Sequence, residues 1–90
     1  MLEETVRIVN PLGLHARAAA QLVRLAGKFQ SRIILERMDN NVICDAKSIL
    51  SVLSLAATQG KELKLVIEGI DENKALCSIE EIFRNGFGEL

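Results

Sequence analysis

The 90-residue sequence has no tryptophan or tyrosine, one proline, one histidine and two cysteines. One histidine and two cysteines cannot build a structural zinc site by themselves, so we expect no metal centre. Cys44 and Cys77 form no C-x-x-C motif. We expect both to be reduced and to pack as small buried hydrophobic side chains. The alternative is a single disulfide between them. No apolar run approaches the roughly 20 residues of a membrane span, and the N-terminus lacks a secretory signal. These absences predict a cytoplasmic protein.

The sequence also has no large excess of positive or negative charge. Eleven Lys and Arg residues stand against 12 Asp and Glu residues, for a formal net charge of −1. This balance argues against nucleic-acid binding driven by bulk positive charge. Apolar residues make up 49% of the chain, which is enough for a folded core. The length predicts one domain, residues 1–90, with an aliphatic core because only three phenylalanines are present.

Hydrophobic periodicity predicts an α+β fold in the order strand, helix, strand, strand, helix, strand, helix. Alternating or β-branched segments predict strands at 4–9, 32–38, 42–44 and 63–68. Apolar residues at helical spacing predict helices at 16–26, at 48–57, and from an N-cap at Asp71 to just before Gly86. Each helix has one apolar stripe, which favours one antiparallel sheet with all three helices on one face.

The segment Gly-Leu-His-Ala-Arg contains the strongest candidate for chemistry. His15 follows a turn and precedes the first predicted helix, where unpaired backbone amides favour anions. Arg17 adds a guanidinium that can hold phosphate oxygens. A neutral imidazole is a nucleophile near pH 7, so this pattern suits phosphoryl transfer to His15. The alternatives are a capping histidine beside a solvated arginine, and a small hydrolase that uses His15.

Ser48 begins the second predicted helix, where its hydroxyl is expected to cap a first-turn amide. Three apolar residues follow at positions that cannot all face the sheet: Ile49, Leu50 and Leu53. At least one of them is therefore expected at the surface, where contiguous apolar patches often mark binding sites.

Three segments carry a family resemblance. NPLGLHARAAA resembles the active-centre segment of the HPr family, the histidine-containing phosphocarriers of the bacterial phosphoenolpyruvate-dependent phosphotransferase system. DAKSILSVLSLAATQG resembles the family's regulatory-serine segment, and DENKALCSIEEIF resembles its last helix. The resemblance covers nearly the whole chain, in order. It implies the HPr-like open-faced β-sandwich, with four antiparallel strands and three helices on one side.

The resemblance also implies roles and partners. His15 would carry the phosphoryl group on Nδ1, Arg17 would steady it, and Ser48 would be the serine phosphorylated by HPr kinase/phosphorylase. Enzyme I would be the donor and enzyme IIA domains the acceptors, with a monomeric carrier that is not a catalyst and needs no cofactor. The family's docking face lies on the first two helices and would include Ala20, Arg24, Lys47, Ile49, Leu50 and Leu53.

The sequence departs from the family at two points. Ala18 stands where the family usually has proline, and the hairpin at 39–41 is slightly longer than usual. We expect neither change to abolish carrier function, because alanine favours the helix and the hairpin extends into solvent. The alanine run and the ending IFRNGFGEL resemble proteobacterial carriers. Some of these serve a nitrogen-related regulatory branch, so a regulatory module that transports no sugar is the alternative function.

Overall fold

The computed structural model describes residues 1–90 and contains four strands and three helices. A short 3-10 turn, Gly86–Gly88, follows the last helix. In chain order the elements are β1 (Leu2–Arg7), α1 (Ala16–Ala26), β2 (Arg32–Arg37), β3 (Ile43–Asp45), α2 (Ile49–Ser54), β4 (Glu62–Glu68) and α3 (Glu72–Arg84).

The four strands form one antiparallel sheet in the order β1-β4-β2-β3. Alternate residues of the central strands are fully buried, and the residues between them are more exposed, which the sequence alternation predicts for β4. The helices cover the buried face, and the other face is open. The fold is therefore the expected α+β open-faced sandwich. Its core is mainly aliphatic, with two buried phenylalanine rings, Phe83 and Phe87. The largest inward side chains on the sheet are Ile33, Leu35, Leu63, Leu65 and Ile67.

Helix α1 has the bounds that the sequence predicts. Alanine has the highest helix propensity and a small side chain, so this helix packs closely on the layer below. Ala18, Ala19, Leu22 and Ala26 are fully buried on one face. Gly27 follows the last residue and donates its amide to the carbonyl of Val23 at 2.9 Å.

Helix α2 is shorter than the predicted 48–57 because backbone carbonyls after Ser54 accept hydrogen bonds from other parts of the chain. After Ser54 the chain tightens, and Ala56 adopts a left-handed backbone conformation with φ 49°. The guanidinium of Arg37 donates to the carbonyl of Leu55 at 2.8 Å. The carbonyl of Ala57 then accepts the amide of Leu14 at 3.0 Å, which ties the end of α2 to the chain before α1.

One prediction holds in position only, and another is wrong. Asp71 occupies the N-cap position of α3 but makes no capping bond, because its carboxylate accepts from the amides of Gln30 and Ser31 and from the Ser31 hydroxyl. Cys77 is exposed, because its position on α3 points away from the buried stripe. Cys44 is buried as predicted, and loss of hydration raises the pKa of its thiol to about 11.

Candidate functional site

A tight turn before α1 places His15. The amide of Gly13 donates to the carbonyl of Asn10 at 3.1 Å, and the Asn10 side chain donates back to the carbonyl of Gly13 at 2.9 Å. Gly13 has φ 67°, and a Cβ there would lie 2.6 Å from the carbonyl oxygen of Ala57. Only glycine fits this position, where the turn approaches the end of α2.

His15 is the N-cap of α1. Its backbone is extended, with φ −74° and ψ 178°, and its carbonyl accepts the amide of Ala19 at 2.8 Å. Its Nδ1 accepts the backbone amide of Arg17 at 3.3 Å. No protein group accepts the amides of Ala16 and Ala18. The imidazole, whose side chain is 25% exposed, therefore lies at the positive end of the helix.

A carboxylate from the far end of the chain completes the site. Oε2 of Glu89 contacts Nε2 of His15 and accepts from Arg17, through Nη2 at 3.0 Å and Nε at 3.3 Å. Oε1 of Glu89 accepts from the side-chain amide of Asn10 at 2.9 Å. These hydrogen bonds, with that from Asn10 the largest contribution, lower the pKa of Glu89 to about 2. The carboxylate is therefore ionised at neutral pH.

The 3-10 turn brings Glu89 to this position. Phe87 is buried with φ 56°, and its ring packs edge-on against Phe83 of α3 with centroids 5.1 Å apart. Gly86 has φ 59°, and a Cβ there would lie 2.5 Å from Cγ of Leu90. The buried ring and the close crossing fold the chain after α3 back towards the start of α1.

An open groove runs beside the site, between the turn before α1 and the 3-10 turn. It is lined by Pro11, Leu12, Arg17, Gln21, Phe87, Gly88 and Glu89. Leu12 is 64% exposed, so an apolar side chain lies next to the charged groups.

No group of three His, Cys, Asp or Glu side chains lies close enough to hold a metal ion. No helix has the combination of length and hydropathy that crossing a bilayer requires.

The structure places the other site residues on α1, α2 and the loop between β3 and α2. Ser48 is the N-cap of α2, and its Oγ accepts the amide of Ser51 at 3.4 Å. Leu50 is the most exposed of the apolar residues of α2, at 77%, against 38% for Ile49 and 37% for Leu53. The Lys47 ammonium donates to the carbonyl of Phe29 at 2.7 Å.

On α1, Ala20 is half-buried and Arg24 is exposed. Helices α1 and α2 pack against each other, so these residues and those of α2 belong to one side of the molecule. None of them makes a hydrogen bond to His15 or Arg17 through its side chain.

Sequence reasoning missed Glu89 and the Asn10 side chain. The Gly-Phe-Gly run at 86–88 is the signal that could have indicated a fold-back, because an apolar ring between two glycines suggests a tight turn with a buried anchor. Nothing local to Glu89 distinguishes it from the other acidic residues, since its partners lie more than 70 positions away.

Fold and site together define a small open-faced sandwich that displays one histidine at a helix start, beside an arginine. The family model described as "PTS HPr component phosphorylation site" matches residues 2–85. The chain is 47% identical to the phosphocarrier protein HPr of Treponema pallidum over 99% of both chains. Further relatives of that name come mostly from proteobacteria. The chain belongs to the HPr family, the phosphocarriers of the phosphotransferase system.

Solved structures agree. An HPr structure from Thermoanaerobacter tengcongensis superimposes with a TM-score of 0.94 at 42% identity, covering 100% of this chain and 99% of the other. A structure described as an HPr dimer from the same organism gives a TM-score of 0.77 at 43% identity, covering 99% and 100%. The family and the fold that the sequence predicts are confirmed.

Proposed function

We propose that His15 accepts a phosphoryl group from enzyme I, itself charged by phosphoenolpyruvate, and passes it to a histidine of an enzyme IIA domain in sugar uptake. The observation that carries the proposal is the geometry of His15 in the family's active-centre segment. It is the only histidine, it caps α1, and Arg17 is within reach of the same charged cluster. The chain is then a stoichiometric substrate of enzyme I and not a catalyst.

The transfer needs one nucleophilic nitrogen and positive groups around the moving charge. The Nδ1 lone pair forms the new N–P bond, while the bond between phosphorus and the donor atom breaks and its electron pair leaves with the donor. The amides of Ala16 and Arg17 at the start of α1 would face the new dianion, the latter once Nδ1 no longer accepts it. The Arg17 side chain is 68% exposed, so it is free to swing from Glu89 to the phosphoryl oxygens.

Partners would dock on the side formed by α1 and α2. The residues proposed for this surface are Ala20, Arg24, Lys47, Ile49, Leu50 and Leu53. Leu50 supports the proposal because its side chain is largely exposed without an internal role. The Lys47 ammonium already bonds a backbone carbonyl, so we assign it the smallest part in partner binding.

Ser48 is proposed as the regulatory phosphorylation site, in organisms that have HPr kinase/phosphorylase. Its half-buried hydroxyl lies at a helix start and next to Ile49 and Leu50, so a phosphate there would add charge to the docking surface. We further propose that residues 1–90 work as one monomeric domain in the cytoplasm, without metal or organic cofactor and without binding nucleic acid.

The second candidate is a regulatory carrier whose phosphorylation state is read by partner proteins without sugar transport. Its basis is the alanine run and the ending IFRNGFGEL, which resemble proteobacterial carriers of which some serve the nitrogen-related branch. Both candidates share the chemistry of His15. Offering the phosphorylated protein to enzyme IIA domains of the sugar type and of the nitrogen type separates them, because the physiological acceptor discharges it faster.

Labelled phosphoenolpyruvate with purified enzyme I tests the proposal. The parent should take up one acid-labile, base-stable phosphoryl group, and His15→Ala should take up none while keeping its fold. Lys74→Ala is the matched control, because this exposed lysine makes no contact with the site. Absence of label on the parent, or the same label on His15→Ala, would overturn the assignment.

A further inference from the structure

We propose that Glu89 is a positioning residue for phosphoryl transfer: it accepts the Nε2 proton of His15 and so leaves the lone pair on Nδ1, the nitrogen that attacks phosphorus. This inference rests on the proposed function for its consequence, but its geometric part concerns the unphosphorylated protein alone. Asn10 supports it by orienting the carboxylate from the other side.

The contacts of the ring distinguish the two neutral tautomers of His15. A carboxylate only accepts, so Nε2, which contacts Oε2 of Glu89, must carry a hydrogen. The backbone amide of Arg17 only donates, so Nδ1 must present its lone pair. Of the two neutral tautomers, the one with its proton on Nε2 meets both conditions, whereas the opposite tautomer would lose both contacts.

The Glu89 carboxylate is itself held in place. Oε1 accepts from Asn10, whose side chain is fully buried in the turn before α1, and Oε2 is shared between His15 and Arg17. The Glu89 side chain is only 10% exposed. A carboxylate fixed by its own partners orients a histidine ring and its proton, which is how an orienting acid acts in other histidine sites.

The carboxylate does not occupy the position of the phosphoryl group. The two ring nitrogens point to different edges of the imidazole, and Glu89 lies at the Nε2 edge. During transfer the Nε2–H bond to Glu89 persists and the Arg17 amide releases the Nδ1 lone pair. The Nδ1–P bond then forms, and the donor leaves with its electron pair. Arg17 exchanges one oxygen of Glu89 for oxygens of the phosphoryl group, which its exposure permits.

The test measures tautomer and rate in the same set of proteins. Long-range ¹H–¹⁵N correlation spectra of the unphosphorylated protein at high pH report which ring nitrogen is protonated. We expect the parent to be in the Nε2–H form, Glu89→Ala to show a mixture, and Glu89→Gln, which keeps an acceptor oxygen, to lie between them. Glu81→Gln removes an exposed carboxylate that makes no hydrogen bond, and it should match the parent.

Single-turnover transfer from phosphorylated enzyme I gives the second readout. Glu89→Ala should be slower by about tenfold to a hundredfold, the range typical when an orienting partner of a histidine is removed. Transfer as fast as the parent, or a parent tautomer with the proton on Nδ1, would overturn the proposal. If enzyme I labels no variant and not the parent, the proposed function fails, while the tautomer spectra still decide the role of Glu89.

Discussion

Helices α1 and α2 begin with the same kind of N-cap, but the groups around the two caps differ. His15 and Ser48 are both N-caps in extended conformation, and each side chain accepts an amide of the first turn, at 3.3 Å and 3.4 Å. At α1 the cap is surrounded by Arg17, Glu89 and the Asn10 side chain. At α2 no charged side chain bonds the cap, and exposed apolar residues follow it.

The difference indicates that the side chains placed around a helix N-terminus, and not the N-terminus itself, decide its chemistry. Both ends offer a partial positive charge and unpaired amides. In the proposed mechanism, only the α1 end adds a nucleophilic imidazole and a mobile guanidinium. The α2 end adds apolar surface, which in the proposed function binds a protein partner, and a negative charge placed there would oppose that binding.

The largest expected effect is at Arg17. Arg17→Ala should slow transfer from enzyme I by about a hundredfold or more, because a donor aimed at developing charge is lost. Arg17→Lys should fall between that variant and the parent, because an ammonium lacks the planar fork. Stopped-flow transfer kinetics, with affinity for enzyme I measured separately, would show the loss mainly in rate. Unchanged kinetics in Arg17→Ala would make the two helix starts chemically equivalent.

At Ser48 we expect a smaller effect on transfer. Ser48→Asp should fold normally, since an acid suits a helix start, but should accept phosphate about tenfold more slowly because its charge must be buried against enzyme I. Ser48→Ala is the control. It should transfer normally and lose about 0.5 kcal/mol of unfolding free energy, the low end for a cap, because the 3.4 Å bond is long. Equal rates for Ser48→Asp and the parent would leave Ser48 as a cap only.

Lowering the pH should weaken the contacts at the start of α1 and leave those at the start of α2 unchanged. The pKa of Glu89 is lowered to about 2 in the folded protein from an ordinary value of 4.5, so the unfolded chain binds this proton first. The stabilisation is therefore present above about pH 4.5 and is lost as the pH falls towards 2. Urea midpoints of parent and Glu89→Gln should differ at pH 6 and converge near pH 2. A difference that stays constant over this range would contradict the assignment.

The smallest expected effects are those of proline substitutions in the first turns of α1 and α2. Ala18 and Ser51 are each the third residue of their helix, but the Ala18 amide has no acceptor while the Ser51 amide donates to Ser48. Ala18→Pro should raise the unfolding free energy by about 0.4–1 kcal/mol with carrier activity retained. Ser51→Pro should lower it, because the capping bond is lost. Thermal unfolding of both variants checks this; destabilisation by Ala18→Pro would mean that the buried site cannot admit the ring.

Local pattern predicted the order of the elements and pointed to His15 and Arg17, which both contact Glu89 in the structure. Alanine spacing predicts α1 to the residue, and the alternation of strand residues identifies the buried face of the sheet. The end of α2 escaped prediction because Arg37, from β2, takes a carbonyl there. Glu89 escaped for the same reason: its role depends on Asn10 and His15, and no periodicity encodes a contact between the two ends of a sequence.

The separation between His15 and Glu89 also bears on how the protein folds. Seventy-four positions divide them, and β1 pairs with β4, so the site closes a loop of almost the full chain. Contacts of high sequence separation cost loop entropy before they return any stabilisation, and they tend to form late. Under the proposal for Glu89, a chain in which α1 has formed but the segment after α3 has not docked would lack the carboxylate that selects the tautomer. The ¹⁵N signals of the His15 ring would then report the docking of that segment against α1.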